Sequence, residues 1–351
     1  MKADCVKAVL IGIAAAAVPV GASAQAGVTI YGLIDVSVNY SRADSTATSG
    51  SKNLYTLSSD ASRFGFRGNE DLGSGRSAYF KLESGYNVDT GAQTNPLQFW
   101  NREAFVGIGD KSLGSVQMGS HFSPYIYTSG KVDPFARFGL GAILGILQGA
   151  PRGWPVTYNN SVQYITPNWG GFVGKLLVSA GEGADTGHGY AASAEYMQGK
   201  LYASFNVDRI EVPTATVGLT GEPVKSTTWA VGVTYDFGMA KLAGWLQRNQ
   251  IDELSDADGY LLGITVPAGQ GEIRATYSHR SEDDADATQT AIGYYYPISK
   301  RTWLFSQVGE VRNSGTARFG LGPARVEQLA AGLREPGRDI QGIQLGMRHY
   351  F

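Results

Sequence analysis

From Val28 to Tyr40 the chain reads "VTIYGLIDVSVNY". Val28, Ile30, Gly32, Ile34, Val36, Val38 and Tyr40 fall on one side of an extended chain, and Thr29, Tyr31, Leu33, Asp35, Ser37 and Asn39 on the other. Side chains of a strand alternate between faces, so this period of two predicts a strand with one apolar and one polar face. A globular strand averages about five or six residues, whereas one crossing a bilayer at a tilt needs about 9–11. The run is long enough to cross. The pattern predicts further strands over 57–69, 76–87, 98–109, 114–120, 156–166, 172–180, 190–197 and 201–209. It continues over 224–235, 240–250, 260–266, 271–280, 288–296, 302–311 and 340–351, which makes sixteen with the first.

The segment "SRFGFRGNEDLGSGRSAYFKLESGY", Ser62 to Tyr86, shows what such a strand must choose between. Arg63 and Arg67 share one face, back to back with Phe64 and Phe66. A soluble hairpin with one wet face could carry this pattern, and so could a barrel wall between lipid and water. The connections favour the barrel. Short ones ("EDLGSG", "GDKSLG", "PNWGG", "MQGK", "DFGM", "PAGQG", "PISKR") alternate with long ones at 41–56, 88–97, 121–155, 210–223, 281–287 and 312–339. Short turns at one rim and long loops at the other describe a membrane barrel. A large soluble all-β protein has no reason to keep that order. The last strand ends "GIQLGMRHYF", with Ile343, Leu345, Met347, His349 and Phe351 on one face. A chain that stops in mid-strand fits a barrel, because pairing the last strand with the first removes both edges.

Composition agrees. Glycine averages about 7% of residues; here there are 47 in 351, with 19 tyrosines, which suits tight turns and aromatic belts. No segment after the leader offers 18 uninterrupted apolar residues, so helical spans are not expected. Residues 1–24 read as a signal peptide: Lys2 and Lys7, the apolar run "AVLIGIAAAAVPV", then Ala22-Ser23-Ala24. An uncleaved N-terminal anchor is the alternative. The mature chain, a single domain over 25–351, then starts at Gln25 and lacks Cys5, the only cysteine, so no disulfide is expected. Removing Lys2, Lys7 and Asp4 leaves 27 basic against 30 acidic residues, a net charge of −3. Nothing in that balance points to a nucleic-acid partner.

At this point the residues resemble a family. "VTIYGLIDVSV" (28–38), "SRFGFRGNEDLGSG" (62–75), "REAFVGI" (102–108), "NNSVQYITPNWGGF" (159–172), "YDFGMAKL" (235–242), "GITVPAGQGEIRATY" (263–277) and "SKRTWLF" (299–305) occur in order across the mature chain. Together they resemble the Gram-negative general-diffusion porins, most closely the beta-proteobacterial type. The resemblance implies an all-β, 16-stranded antiparallel transmembrane β-barrel in the outer membrane, a homotrimer, and a pore narrowed by an inward-folded third long loop. It implies that Phe351 is read by the insertion machinery. It also implies contact with outer-membrane lipid and lipopolysaccharide, and passage of small hydrophilic solutes and ions.

Inside that frame Arg63 and Arg67 belong in the lumen, since arginine on the lipid face near mid-bilayer costs about 2–4 kcal/mol. The third connection, "HFSPYIYTSGKVDPFARFGLGAILGILQGAPRGWP", is long enough to be functional. Its apolar part, Gly139 to Gly149, is expected to form a short helix on the inner wall. Arg63 matches a basic wall residue of the family, and so does Arg152, ahead of "VTYNNS". Ser120 and Leu33 depart from it, standing where relatives carry Arg and Lys. Around the expected constriction Arg63, Arg67, Lys131, Arg137 and Arg152 stand against Asp133. Charges converging on a narrow aqueous opening focus their field on a passing ion. An anion preference follows, unless Glu83 and Glu103 lie at the same height. Each of these charges could instead be simply solvated.

Other patterns carry little. The four histidines lack metal-ligand spacing, and no cofactor is expected. "NNS" at 159–161 matches a glycosylation acceptor but lies in a strand. "SEDDADA" at 281–287 could hold divalent cations near lipopolysaccharide, though such runs are more often solvated loops. No nucleotide loop or nucleophile elbow is present, so no catalytic group is assigned. A passive diffusion channel is the expectation. Its rivals are a substrate-selective channel in the same fold, a barrel enzyme, and an adhesin binding through 41–56 or 312–339.

Overall fold

Neighbouring strands pair antiparallel along the whole chain, and the last returns to the first. The computed structural model describes residues 27–46, 49–147, 156–181, 188–214 and 220–351. The first half contains β1 (Thr29–Ala43), β2 (Lys52–Ser59), β3 (Arg63–Gly73), β4 (Arg76–Gly85), β5 (Glu103–Asp110), β6 (Gly114–Phe122), α1 (Pro124–Val132), β7 (Thr157–Ile165), β8 (Phe172–Ser179) and β9 (Gly189–Gln198). The second contains β10 (Leu201–Val212), β11 (Val224–Asp236), β12 (Lys241–Ile251), β13 (Ala257–Ala268), β14 (Gly271–Ser281), β15 (Ala287–Pro297), β16 (Thr302–Asn313), α2 (Arg325–Ala330) and β17 (Ile340–Tyr350). β17 pairs with β1 from Leu33↔Tyr350 to Ala43↔Ile340, closing the sheet. Phe351 extends the seam: its N–H and carbonyl exchange hydrogen bonds with Gly32 at 3.1 and 3.0 Å.

The strand expected over 57–69 is longer and broken. β2 pairs with β1 down to Val36↔Ser59, and β3 resumes at Leu33↔Arg63. They are two halves of one wall strand around a bulge, so the barrel has sixteen staves. The bulge is held from inside: the Ser62 hydroxyl accepts from the Asp35 N–H at 2.9 Å, and Ala61 takes a positive φ of 56°. The loop expected over 41–56 shrinks accordingly to 44–51.

The alternation read from sequence becomes two faces. On β1, Leu33, Asp35, Ser37, Asn39 and Ser41 are buried, while Ile30 and Val38 are exposed. Around the rest of the barrel the exposed positions include Leu176, Leu246, Leu262, Val308 and Leu345. Water would penalise this band by about 25 cal/mol per Å², so it is the surface of a protein solvated by lipid.

Strand β5 starts at Glu103 rather than at 98. Phe99 and Trp100 turn back over the exposed face, with ring centroids 6.4 and 6.2 Å from Phe64, and Trp100 lies 6.1 Å from Phe66.

The helix expected over 139–149 does not form in its described part, 139–147, which is a succession of turns. The helix of this connection is α1, upstream. Ser123 caps it by accepting the Tyr125 N–H at 3.1 Å, and Pro124 sits in the first turn, where a missing donor costs nothing. Over 139–147 wall side chains take the backbone groups a helix needs. Gln307 accepts from the Leu140 N–H (2.8 Å), Thr276 donates to the Gly141 carbonyl (2.9 Å), and Gln289 donates to that of Leu140 (2.6 Å). Gln247 reaches the Leu147 carbonyl at 2.7 Å. A Cβ at Gly145 would lie 1.7 Å from the Gln289 amide oxygen, so a larger residue there would have to displace the Gln289 side chain from the loop.

The last long connection also packs on buried-face residues. Gln328 donates to Ser41 at 3.0 Å, and Phe319, Leu321 and Leu333 join the cluster that holds Leu140, Ile143 and Phe135.

Candidate functional site

On strands β3 to β5, a group of charges grows out of the alternation itself. Gly65 lies opposite Glu83, and Glu83 opposite Glu103, so the two carboxylates stand side by side between basic neighbours. Arg102 Nε donates to Glu83 at 2.6 Å, Lys81 Nζ lies 3.6 Å from Glu83 and pairs with Glu103, and Arg63 Nε lies 3.9 Å from Glu83. The Tyr31 hydroxyl donates to Glu83 at 2.9 Å, and that of Tyr127, from α1, donates to Glu103. Glycine at position 65 makes this possible: a Cβ there would fall 2.8 Å from the Tyr31 hydroxyl. Arg67 sits over the Tyr31 ring at 5.1 Å.

The third connection brings its own charges. Both Asp133 oxygens are spent on the loop's amides: Phe135 N–H at 2.8 Å, Arg137 N–H at 3.0 Å and Ile143 N–H at 2.8 Å. Burial still pushes this carboxyl up to about 6, against those three donors. Arg137 donates to the Ser129 hydroxyl at 2.6 Å, and burial lowers its guanidinium to about 10. Asp60, in the bulge between β2 and β3, accepts the Gly139 N–H at 2.5 Å. Lys131 lies elsewhere: its Nζ is 2.5 Å from Glu195, a carboxylate shared with Lys175 at 3.1 Å.

A third group sits at the seam. Arg348 pairs with Asp35 at 2.6 Å. Phe138, next to Arg137 in the loop, lies with its ring 4.0 Å from the Arg348 guanidinium carbon and 6.0 Å from that of Arg63. Loop, seam and wall therefore meet at one aromatic ring.

Of the residues picked from sequence, Arg63 and Arg67 stand on the charged wall, and Arg137 is placed against it through Phe138. Lys131 is paired on another part of the wall, where it shares Glu195 with Lys175, and Asp133 is tied into the loop. Arg152 lies outside the described residues. Glu83 and Glu103 do stand beside Arg63. Sequence reasoning passed over Lys81, Arg102 and Arg348. The signal existed for Lys81, which shares the parity of Glu83, but Arg102 precedes its strand and Arg348 meets Asp35 only after closure. Leu33 is buried, and Ser120 donates to Asn159 at 2.8 Å. The acidic run near 282–286 is internally bonded: Glu282 pairs with Arg280, and Asp286 accepts the Glu282 N–H at 3.0 Å.

A closed barrel with an apolar belt outside and charged, hydrogen-bonding side chains inside is the wall of a transmembrane channel. Comparison with known proteins gives the family. The family model for Gram-negative porins matches residues 11–316, and the chain belongs to that family. It is 31% identical to outer membrane porin protein 32 of Delftia acidovorans, over 97% of this chain and 99% of that one. It is 27% identical to an outer membrane porin protein of Bordetella pertussis, over 87% and 93%. Among solved structures it matches the anion-selective porin from Comamonas acidovorans with a TM-score of 0.78 and 27% identity, covering 93% of this chain and all of that one. OmpT of Vibrio cholerae shares the fold, at a TM-score of 0.66 and 15% identity. The protein is a multi-pass outer-membrane diffusion channel, and the family consists of channels rather than enzymes.

Proposed function

We propose that this porin passes small hydrophilic solutes and ions with a moderate preference for anions. In this reading the buried face lines the lumen. The third connection folds inward and narrows it, and the constriction lies between that loop and the wall of Arg63, Arg67, Lys81 and Arg102. One observation carries the preference: three cations, Arg63, Lys81 and Arg102, bracket only two carboxylates, Glu83 and Glu103. Arg67 and Arg137 add charge with no ion pair among the described residues. Arg152 stays in the proposal on the family pattern alone, while Asp133 is assigned to loop structure. The surplus is smaller than the sequence implied, because the wall carboxylates lie at the same height. Screening limits distant charges to about 8 Å at physiological salt, so this local group sets the sign. The anion-selective neighbour supports it.

Reversal potentials across a chloride gradient test the reading. Chloride should permeate ahead of potassium, and Arg63→Ala with Arg102→Ala should move the ratio toward cations. Cation preference in the wild type, or no change in the double variant, would overturn it.

The homotrimer belongs to the same proposal. The exposed-face aromatic patch of Phe64, Phe66, Phe99 and Trp100 offers a surface for a second copy. Crosslinking of the assembled protein should trap trimers. Removal of residues 1–24 is checked by intact mass: the mature protein should start at Gln25.

A further inference from the structure

The connection from β16 to β17 carries four arginines. Arg338 is paired with Glu335 at 3.4 Å, and Lys52 shares that carboxylate at 3.7 Å. Arg318, Arg325 and Arg334 form no ion pair among the described residues, and Glu327, the one carboxylate of α2, is exposed. The fold gathers the three. Arg334 Nε donates to the Arg318 carbonyl at 2.7 Å, and its Nη1 donates to the Arg325 carbonyl at 3.2 Å. A Cβ at Gly320 would lie 2.9 Å from Arg334 Cδ and 3.0 Å from Arg325 Cγ, so both side chains cross the same glycine. The connection also touches the third one: a Cβ at Gly322 would stand 2.5 Å from Leu140 Cδ2.

From here the guanidinia continue toward the β3–β5 wall. Burial lowers Arg334 and Arg137, and the like charge of Arg325 lowers each further, so Arg325 stands between them. Arg102, on the wall, acts on Arg137 in the same way. The carboxylates beside this line are Asp60 and Asp133, and both are engaged by amides of the third connection. Arg318 is exposed, and the next three arginines are half-buried. Arg325 is lowered by burial yet keeps part of its surface open to water, as a cation in a narrow aqueous passage does.

We infer that Arg318, Arg334, Arg325 and Arg137 form a stepped line of guanidinia that leads anions from the mouth to the β3–β5 wall, which makes the last connection part of the filter. Low-dielectric walls focus the field of such a line on a passing ion. Several neighbouring steps let an anion bind at each and still move on. The inference rests on the anion-preferring channel proposed above, and it adds a second loop and three residues to that filter.

Single-channel recording of the assembled porin in potassium chloride tests it, together with reversal potentials in a chloride gradient. Arg325→Gln with Arg334→Gln should lower the chloride-to-potassium permeability ratio about twofold, as expected when focused charge is removed. The same pair should lower conductance more in dilute than in concentrated salt, because screening cuts the reach of a charge to about 3 Å at 1 M. Arg325→Lys with Arg334→Lys keeps both charges without the guanidinium bonds to the loop carbonyls, and should stay at the wild-type ratio. Arg312→Gln, paired with Glu310 at 2.9 Å on the outward face, should change neither reading. A glutamine pair that behaves as the wild type, or a lysine pair that falls as far as the glutamine pair, would overturn the line. If Arg63→Ala with Arg102→Ala shifts the ratio and the glutamine pair does not, the line alone fails. A wild type that prefers cations would overturn the channel reading and the line with it.

Discussion

Arg348 donates a hydrogen bond to Asp35 at 2.6 Å across the seam where the last strand meets the first. The two stand directly opposite each other in the register, and both side chains are nearly inaccessible. The pair does more than close the barrel. Arg348 also stacks on Phe138, so the third connection is docked against the ion pair that seals the wall.

Breaking this pair should be costly. Removing one partner of a buried ion pair leaves an uncompensated charge and costs about 3–5 kcal/mol. Arg348→Met and Asp35→Asn should each lower the thermal transition of the detergent-solubilised porin. The double variant should recover much of the loss, because no lone charge remains. Single variants that melt with the wild type would show that the seam does not depend on the pair.

The two basic residues Arg102 and Lys131 should differ in their effect on selectivity. Lys131 shares Glu195 with Lys175, a separate group from the β3–β5 wall. Arg102 belongs to the β3–β5 group on which the proposed constriction is built. Arg102→Gln should reduce the chloride-to-potassium permeability ratio about twofold or more, and Lys131→Gln should change it little. The reverse ranking would remove the β3–β5 wall from the filter.

Deleting Phe351 should impair assembly more than conduction, since the terminal aromatic closes the seam and is expected to be read at insertion. Gly32 offers an independent check. A Cβ at position 32 would lie 2.2 Å from the Phe351 ring, so Gly32→Val displaces that ring with the C-terminus intact. Both variants should yield less folded trimer on unheated gels. Normal yield from the truncated chain would end the assembly assignment.

Asp133 gives a pH dependence of defined sign. Burial raises its carboxyl from an ordinary 3.8 to about 6. The folded state therefore binds the proton more tightly than the unfolded one. Its contribution to stability is full below about pH 4 and is lost as pH rises through 6. Subtracting the melting profile of Asp133→Asn from that of the wild type should leave a component that falls over this window. A component that rises with pH would refute the assignment.

What the sequence determined by itself is the wall. Alternation at i and i+2 is a local property of the strand, so the exposed face of β1 and the opposite facing of Arg63 and Phe64 could be read without coordinates. The strand number followed, because turn chemistry is local too. The tertiary structure decided which charges meet. Tyr31 reaches Glu83, and Asp35 meets Arg348, only through register and closure, which place residues far apart in sequence side by side. It also decided the shape of the third connection. An apolar run with four glycines reads as a helix on its own, but Gln289, Gln307 and Thr276 take up its backbone groups and hold it as turns. Helix α1 forms instead, where Ser123 and Pro124 supply a start. The strength of the filter was likewise beyond the sequence, because an electrostatic sum depends on distance. Only the fold puts Glu83 within reach of Arg63, Lys81 and Arg102 at once.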